Sequence, residues 1–300
     1  MTQKKTLVQR IGANNIAGYC FISPFVIGFL WLTVIPMLSS LYFSFTKYDM
    51  IGTPEFIGLE NYIRMFTDDP LVYKTLGVTA LYAFVSVPLR LMFALLVAML
   101  LKTNSTANSF YRALVYLPSM VGGSVAVAVL WRRLFANDGV FNAILAMLGL
   151  PSDVYWLGST STAIWTLILL AVWQFGSPML IFISGLKQIP VSLYEAATVD
   201  GAGKVRIFFK VTLPMLTPVI FFNLIMQLIG SLMAFTQSYI ITGGKPMDST
   251  LFYAVYMYRQ SLVYYDMGYG CALAWFMVFI ISILTFIIFR SSDKWVFYET

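Results

Sequence analysis

Of the 300 residues, 59% are hydrophobic and only 11% charged, with a mean hydropathy of +0.80, against roughly 25% charged in a soluble domain; the chain cannot hide so much apolar surface from water. It holds no histidine, the usual general base and commonest metal ligand, and its two cysteines, Cys20 and Cys271, lie inside apolar runs, so neither a disulfide scaffold nor a zinc cluster can be assembled. The net charge of +6 then reads as a topology signal rather than a nucleic-acid footprint.

A bilayer-crossing helix needs about 20 apolar residues, and such runs cover 18–45, 72–101, 110–134, 162–186, 211–241 and 267–289. The predicted fold class is all-α: a polytopic integral membrane protein with about six transmembrane helices, organised as one domain over 1–300. Lys4, Lys5 and Arg10 precede the first run, but its apolar core is longer than a secretory h-region and no small-x-small cleavage site follows, so it reads as an uncleaved helix behind a cytoplasmic tail, 1–17.

Orientation follows from the flanking cations. With the N-terminus inside, the inner segments hold Lys4, Lys5, Arg10, Lys102, Arg112, Lys187, Lys204, Arg206, Lys210, Arg290 and Lys294. The outer side holds Lys47, Arg64, Arg132, Arg133, Lys245 and Arg259, a bias of eleven against six, with Lys74 and Arg90 left within the second run. The positive-inside rule then places both termini in the cytoplasm.

That orientation gives an address to "LYEAATVDGAGKVRIFFKVTLPML", residues 193–216: it opens in the longest inner loop, about 187–210, between the fourth and fifth runs. Pro190 can start a surface helix, along which Val191, Leu193, Tyr194, Ala197 and Thr198 fall at helical spacing and leave Glu195 and Asp200 on other faces. Ala196 and Ala197 keep one side thin enough for close approach by a second protein, and Gly201 and Gly203 let the chain turn before a basic amphipathic segment, Lys204 to Lys210. A helix that merely turns the chain round is the bland alternative. "DGAGKV" is no phosphate loop, since Thr198 stands where its first glycine belongs and Val205 where its Mg²⁺-binding hydroxyl belongs.

Polar side chains inside an apolar span are costly against lipid and ordinarily face the bundle interior or a water-filled path. Trp173, Gln174 and Ser177 cluster in the fourth run, with Pro178 loosening the helix just after them; Asn223, Gln227 and Ser231 in the fifth recur at i, i+4 and i+8 and share a face. An aromatic ring with amides and hydroxyls nearby suits a saccharide, whose C–H faces stack and whose hydroxyls need donors and acceptors. Neither run holds a carboxylate, which favours an uncharged substrate. The same groups also suit helix–helix contacts worth only about 0.6–2 kcal/mol each, a reading that for Asn223 stands beside substrate contact. Arg90 reads as a structural pairing or a snorkelling side chain.

Glu195-Ala196-Ala197, then Gly201, then Leu213-Pro214 resembles the EAA loop of the permease subunits of binding-protein-dependent ABC importers, with Val211 where that family usually has isoleucine. "IPVSLYEAATVDGAG" is similar to the carbohydrate-importer branch, and the resemblance continues through "FISPFVIGFLWLTVIPMLSSLYFSFTKYD", "FIGLENYIRMFTDDP", "RALVYLPSMVGGSVAVAVLWRRLFANDGVFNAILAMLGL", "FTQSYIITGGKPMDSTLFYAVYMYRQ" and "DMGYGCALAW", departing at Lys245 where many relatives have a Gly-Gly-Pro run. It implies a type I ABC importer permease fold in a bacterial cytoplasmic membrane. It implies a coupling helix in which Glu195, Ala196, Ala197, Asp200 and Gly201 meet the cleft of a cytoplasmic ATPase, which binds the ATP and Mg²⁺. It further implies a second permease in a heterodimer of which this chain is the first-type (maltose/glycerol-phosphate-like) member, two ATPase subunits, an extracytoplasmic solute-binding protein, and a sugar or oligosaccharide cargo meeting Trp173, Gln174, Ser177, Gln227 and Ser231.

The outer loop 46–71, with Asp49, Glu55, Glu60, Asp68 and Asp69, and the Thr242-Gly243-Gly244-Lys245-Pro246 stretch are, by the same resemblance, where the binding protein docks; solvated loop charge is the alternative. An ion-driven secondary carrier ordinarily places Asp, Glu or His within its spans and shows inverted repeats, and neither is found here. A membrane enzyme lacks a catalytic set, and an assembly protein would leave the inner loop unexplained.

Overall fold

The structure, a computed structural model, describes residues 13–297; the tail cations Lys4, Lys5 and Arg10 lie outside the described residues. In chain order the helices are α1 (Ala13–Phe29), α2 (Ile35–Ser44), α3 (Glu60–Thr67), α4 (Pro70–Leu101), α5 (Thr106–Val121), α6 (Val125–Leu134), α7 (Val140–Met147), α8 (Ala163–Trp173), α9 (Gly176–Gln188), α10 (Val191–Val199), α11 (Lys204–Ile207), α12 (Leu213–Met215), α13 (Thr217–Leu232), α14 (Tyr253–Tyr258) and α15 (Met267–Ser292). Between α2 and α3 the two-residue strands β1 (Thr46–Lys47) and β2 (Glu55–Phe56) pair antiparallel, Thr46 opposite Phe56.

Among the described residues four stretches, Gly18–Ser44, Pro70–Leu101, Thr217–Thr242 and Met267–Ser292, are long and apolar enough to cross a bilayer. Two bent pairs, α5 with α6 at 98° and α8 with α9 at 41°, bring the number to six if each pair is one span. Side chains such as Phe21 (88% exposed) and Leu32 (74%) point away from the protein, as lipid-facing residues do.

The third run of the sequence is therefore not the straight helix its composition predicts. Ser124 turns the chain: its Oγ accepts from Val127 N at 3.3 Å and caps α6, a hydroxyl N-cap satisfying an orphan N–H. Gly122 ends α5, and any Cβ there would collide with the Gln174 side chain.

Contacts divide the described residues into two compact units, one made of the chain up to Met65 with Gln260–Phe276, the other of Phe66–Arg259 with the chain from Met277 on. In the first, Asn61 Nδ2 donates to the carbonyls of Ser44 and Thr46, both at 3.0 Å, and Arg64 pairs with Asp266 at 2.7 Å while lying 4.1 Å from the Tyr269 ring centroid. Trp275 Nε1 donates to Ser40 Oγ at 3.1 Å.

The second unit holds the core. Val87, Leu91, Ala94 and Ala98 form one stripe of α4 at i, i+4, i+7 spacing, packed on Phe175, Met179, Phe182, Ile183 and Leu186 of the fourth span and on Leu216 ahead of α13. Gly185 lets α9 and α13 approach: a Cβ there would sit 2.7 Å from Val219 Cγ2 and 3.0 Å from Leu216 Cδ2, the close backbone contact that small residues allow between membrane helices. The core thus joins the second, fourth and fifth spans directly beside the inner loop.

Candidate functional site

Pro190 stands at the N-cap of α10 with extended backbone (φ −58°, ψ 131°), and no residue of that helix is buried. It ends in a Schellman turn: Ala202 N donates to Ala197 O at 2.9 Å, Gly201 N donates to Thr198 O at 3.0 Å, and Gly201 sits at φ +72°, the left-handed conformation that favours glycine at this position. Gly203 plays a different part from the one its spacing suggests. Its φ is −70°, and it leads into α11 in ordinary extended backbone.

Glu195 and Ala196 are exposed, Ala197 half-buried and Asp200 exposed. Among the described residues the Glu195 carboxylate makes no hydrogen bond or ion pair. Ala197 and Asp200 line a cleft of about 290 Å³ with Ala202, Arg206, Ile207, Lys210 and Val211, so an acid and two bases share its walls with aliphatic side chains. Tyr194 was missed as a functional residue, and it anchors the helix. Its ring packs on the core, its hydroxyl lies 3.2 Å from Thr212 Oγ1, and Lys102 Nζ stands 5.5 Å from its ring centroid. The loop therefore presents an open polar face on a helix fixed to the spans behind it.

The second predicted cluster lies where the fourth span breaks. In a continuous helix the Gln174 carbonyl would accept from the N–H of residue 178, but Pro178 has none and its ring displaces that carbonyl. The break accordingly falls at Gln174–Phe175, four residues ahead of the proline rather than just at it. Arg90 fills the vacancy from α4, its Nε donating to Gln174 O at 2.9 Å and its Nη2 to the same oxygen at 2.5 Å. Ser119 Oγ of α5 donates to it at 2.8 Å and accepts from Ser177 N, in the first turn of α9, at 3.1 Å. The Gln174 side chain, 7% exposed, donates from Nε2 to the carbonyl of Gly122 at the end of α5, 3.0 Å away. Helix ends in the hydrocarbon region have no water to satisfy them; here the ends of α5, α8 and α9 satisfy one another.

The ring of Trp173 is 37% exposed and lies 5.7 Å from that of Trp131, tilted by 34°. Trp131 is buried and donates from Nε1 to Thr166 O at 3.0 Å, which fixes the pair. Trp131, Ser119 and Gly122 escaped the sequence reading because their partners lie 35 to 55 positions away. On α13, Gln227 is half-buried and Ser231 buried. Asn223 turns fully inward, its Nδ2 donating back to Val219 O at 3.1 Å and its Oδ1 without a partner among the described residues. Among the described residues no hydrogen bond joins Gln227 or Ser231 to Trp173, Gln174 or Ser177.

The outer loops are built rather than merely solvated. Asp69 caps α4, accepting from Leu71 N at 3.1 Å, and also accepts from the Tyr256 hydroxyl. Asp49 accepts from Gly52 N at 2.8 Å and Ile51 N at 3.1 Å; these backbone bonds, that to Gly52 foremost, hold its carboxyl below the usual carboxylate range. The 243–250 turn uses Gly243 and Gly244 at φ +60° and +81°. It is tied by Ser238 Oγ to Thr250 O (2.6 Å), Arg259 Nη2 to Gly243 O (2.7 Å) and Lys74 Nζ to Met247 O (2.6 Å).

Residues 90–297 match the family described as binding-protein-dependent transport system inner membrane component. The chain is 52% identical over 292 residues to the probable ABC transporter permease protein YesP of Bacillus subtilis, covering 97% of this chain and 94% of the relative. It is 36% identical to the sulfoquinovosyl glycerol transport system permease SmoG of Agrobacterium fabrum (87% and 85% covered) and 31% identical to the arabinooligosaccharides transport system permease AraP of B. subtilis (94% and 90%). The same fold occurs in a bacterial alginate ABC transporter solved in complex with an alginate pentasaccharide-bound periplasmic protein, with a TM-score of 0.82 at 21% identity over 97% of this chain and 98% of that one. The chain belongs to the binding-protein-dependent transport system inner membrane component family, the multi-pass permease subunits of ABC transporters.

Proposed function

We propose that this permease forms half of the translocation pathway for an uncharged sugar or oligosaccharide, acting as one domain over 1–300 with both termini cytoplasmic. A second, similar permease supplies the other half, and two cytoplasmic ATPase subunits bind the ATP and Mg²⁺. An extracytoplasmic solute-binding protein delivers the cargo at the outer loops. This chain performs no bond chemistry. Its work is mechanical: α10 seats in the ATPase through Glu195, Ala196 and Ala197, with Asp200 and Gly201 closing its end, and displacement of that rigid helix moves the fourth and fifth spans on either side.

The observation that carries the reading is the contrast along α10, where Glu195 stands exposed with no partner among the described residues while Tyr194, one residue earlier, is held against the core. A helix that only reversed the chain needs neither. The carbohydrate assignment is supported by the half-exposed Trp173 ring, by Gln227 and Ser231 on one face of α13, and by relatives named for saccharide import. Gln174 contributes to the path through its backbone and its bond to Gly122 rather than as a free amide.

The test is uptake into proteoliposomes holding the complete importer and its binding protein, with neutral and acidic oligosaccharides compared. ATP-dependent uptake of a neutral oligosaccharide, reduced at least about tenfold in Trp173→Ala by loss of a stacking contact, is the expected result. Uptake indifferent to Trp173, or transport confined to a non-sugar solute, would remove the carbohydrate path from this face.

A further inference from the structure

Arg90 is the unexplained charge of this molecule. It lies within the 32-residue helix α4, about 30 Å along from its start at 1.5 Å per residue, and is only half-buried. A cation in a span ordinarily pairs with an acid or lines a water path, yet Arg90 forms no ion pair among the described residues. What it meets is the Gln174 carbonyl, through both Nε and Nη2. That oxygen ends α8, where the helix dipole leaves partial negative charge, and Pro178 deprives it of its normal donor. The sequence has thus separated a proline and the arginine that compensates for it by nearly ninety positions.

The surroundings are equally closed. Gly176 admits no side chain, since a Cβ would stand 2.8 Å from Tyr116 Cα and 2.9 Å from both Ser119 Oγ and Val115 O. Gln174 reaches across to Gly122. The indole of Trp173, the residue before this joint, makes no hydrogen bond among the described residues, and its ring rests on Trp131; its placement follows from where the break is held.

We propose that Arg90 is a positioning residue of the translocation path: its forked guanidinium replaces the N–H that Pro178 lacks, fixes the break in the fourth span at Gln174–Phe175, and thereby sets Trp173 towards the cargo. The fork matters beyond its charge, because two N–H groups converge on one oxygen; lysine retains the charge but not that geometry. The last step, from joint to cargo, rests on the reading of Trp173 as part of the path.

The experiment measures the joint directly. In the assembled importer, with Cys20 and Cys271 replaced, nitroxides are attached at Leu169 and Ser184, exposed positions on α8 and α9, and their separation is measured by pulsed electron–electron resonance. The unmodified joint should give one narrow distribution. Arg90→Met should give a broad one and raise the cargo KM about tenfold, the scale of one charge-assisted bond. Arg90→Lys should fall between, and Ser119→Ala should broaden the distribution more weakly. If Arg90→Met fails to assemble, the lysine and Ser119→Ala variants decide the matter by the same readout. A distribution as narrow in these variants as in the parent overturns the proposal, and so does a broadened one with unchanged KM. The distance needs no cargo, so failure of the carbohydrate reading, seen as indifference of uptake to Trp173→Ala, is distinguished from failure of the joint.

Discussion

Replacing Gly176 by alanine tests the packing of the broken span with a single methyl group. Its Cβ would stand 2.8 Å from Tyr116 Cα and 2.9 Å from Val115 O, backbone atoms that cannot step aside, so α5 and α9 must part by about half an ångström. Overpacking of this kind costs about 1–3 kcal/mol. The same methyl displaces Ser119 Oγ, which stands 2.9 Å away, and weakens its bonds to Gln174 O and Ser177 N by up to about 1 kcal/mol each. Gly176 opens α9, so the gain in helix propensity stays below the value of about 0.5–1 kcal/mol for a helix interior, and the net loss centres on about 2 kcal/mol. Gly77, inside α4 with nothing within 4 Å of its would-be Cβ, is the control, and Gly77→Ala should gain about 0.5–1 kcal/mol. Unfolding in mixed micelles titrated with a denaturing detergent should separate the two variants by roughly a hundredfold in equilibrium constant. Gly176→Ala matching or exceeding Gly77→Ala in stability would refute the reasoning.

Further outcomes follow from the inner and outer loops. Gly201→Ala, forced to φ +72°, should cost about 1–2 kcal/mol locally and make the 199–204 turn cleavable by added protease, whereas Gly203→Ala at φ −70° should leave cleavage unchanged. Tyr194→Phe should keep the ring packing and most ATP-coupled transport, while Tyr194→Ala loosens α10 and should lower cargo moved per ATP hydrolysed; equal behaviour of the two would remove the anchor. The Asp49 turn has a folded pKa below its ordinary value, so its contribution is fully present above the unfolded pKa and fades as pH falls through the depressed one. Amide exchange at Ile51 and Gly52 should accelerate only on that acid side, and Asp49→Asn should shift or remove the dependence.

What could be read from the residues was what is local. Pro190, the alanine pair and Gly201 lie within a dozen positions and bring their own geometry, so the inner helix and its end were legible. Gly203 was over-read, because spacing says a turn is near but not which glycine takes positive φ. The apolar runs gave the spans but were blind to direction: a run of valines and leucines has the same composition whether straight or, as at Gly122–Ser124, bent by 98°. Pro178 announced a break whose position follows from its i−4 carbonyl, and the donors that repair it, Arg90 and Ser119, lie 84 and 55 positions away from Gln174. No window on the chain contains all three. Asn223, Gln227 and Ser231 do recur on one helix face, yet that face is not uniformly open, since packing against α4 and α9 takes Asn223 fully inward.

The coupling role of the inner loop is tested most directly by what the chain holds on to. The permease is expressed with its chromosomal neighbours, extracted in mild detergent and weighed by native mass spectrometry, as wild type and as Glu195→Lys. Glu195 is exposed and has no partner among the described residues, so the substitution should change the stability of the permease itself by no more than about 0.5 kcal/mol. The wild type should give a complex of two different permeases and two ATPase copies, and the Glu195→Lys sample a permease pair that persists with its ATPases weakened or lost. A chain that purifies alone, or with partners indifferent to Glu195, would rule out a coupling role for α10.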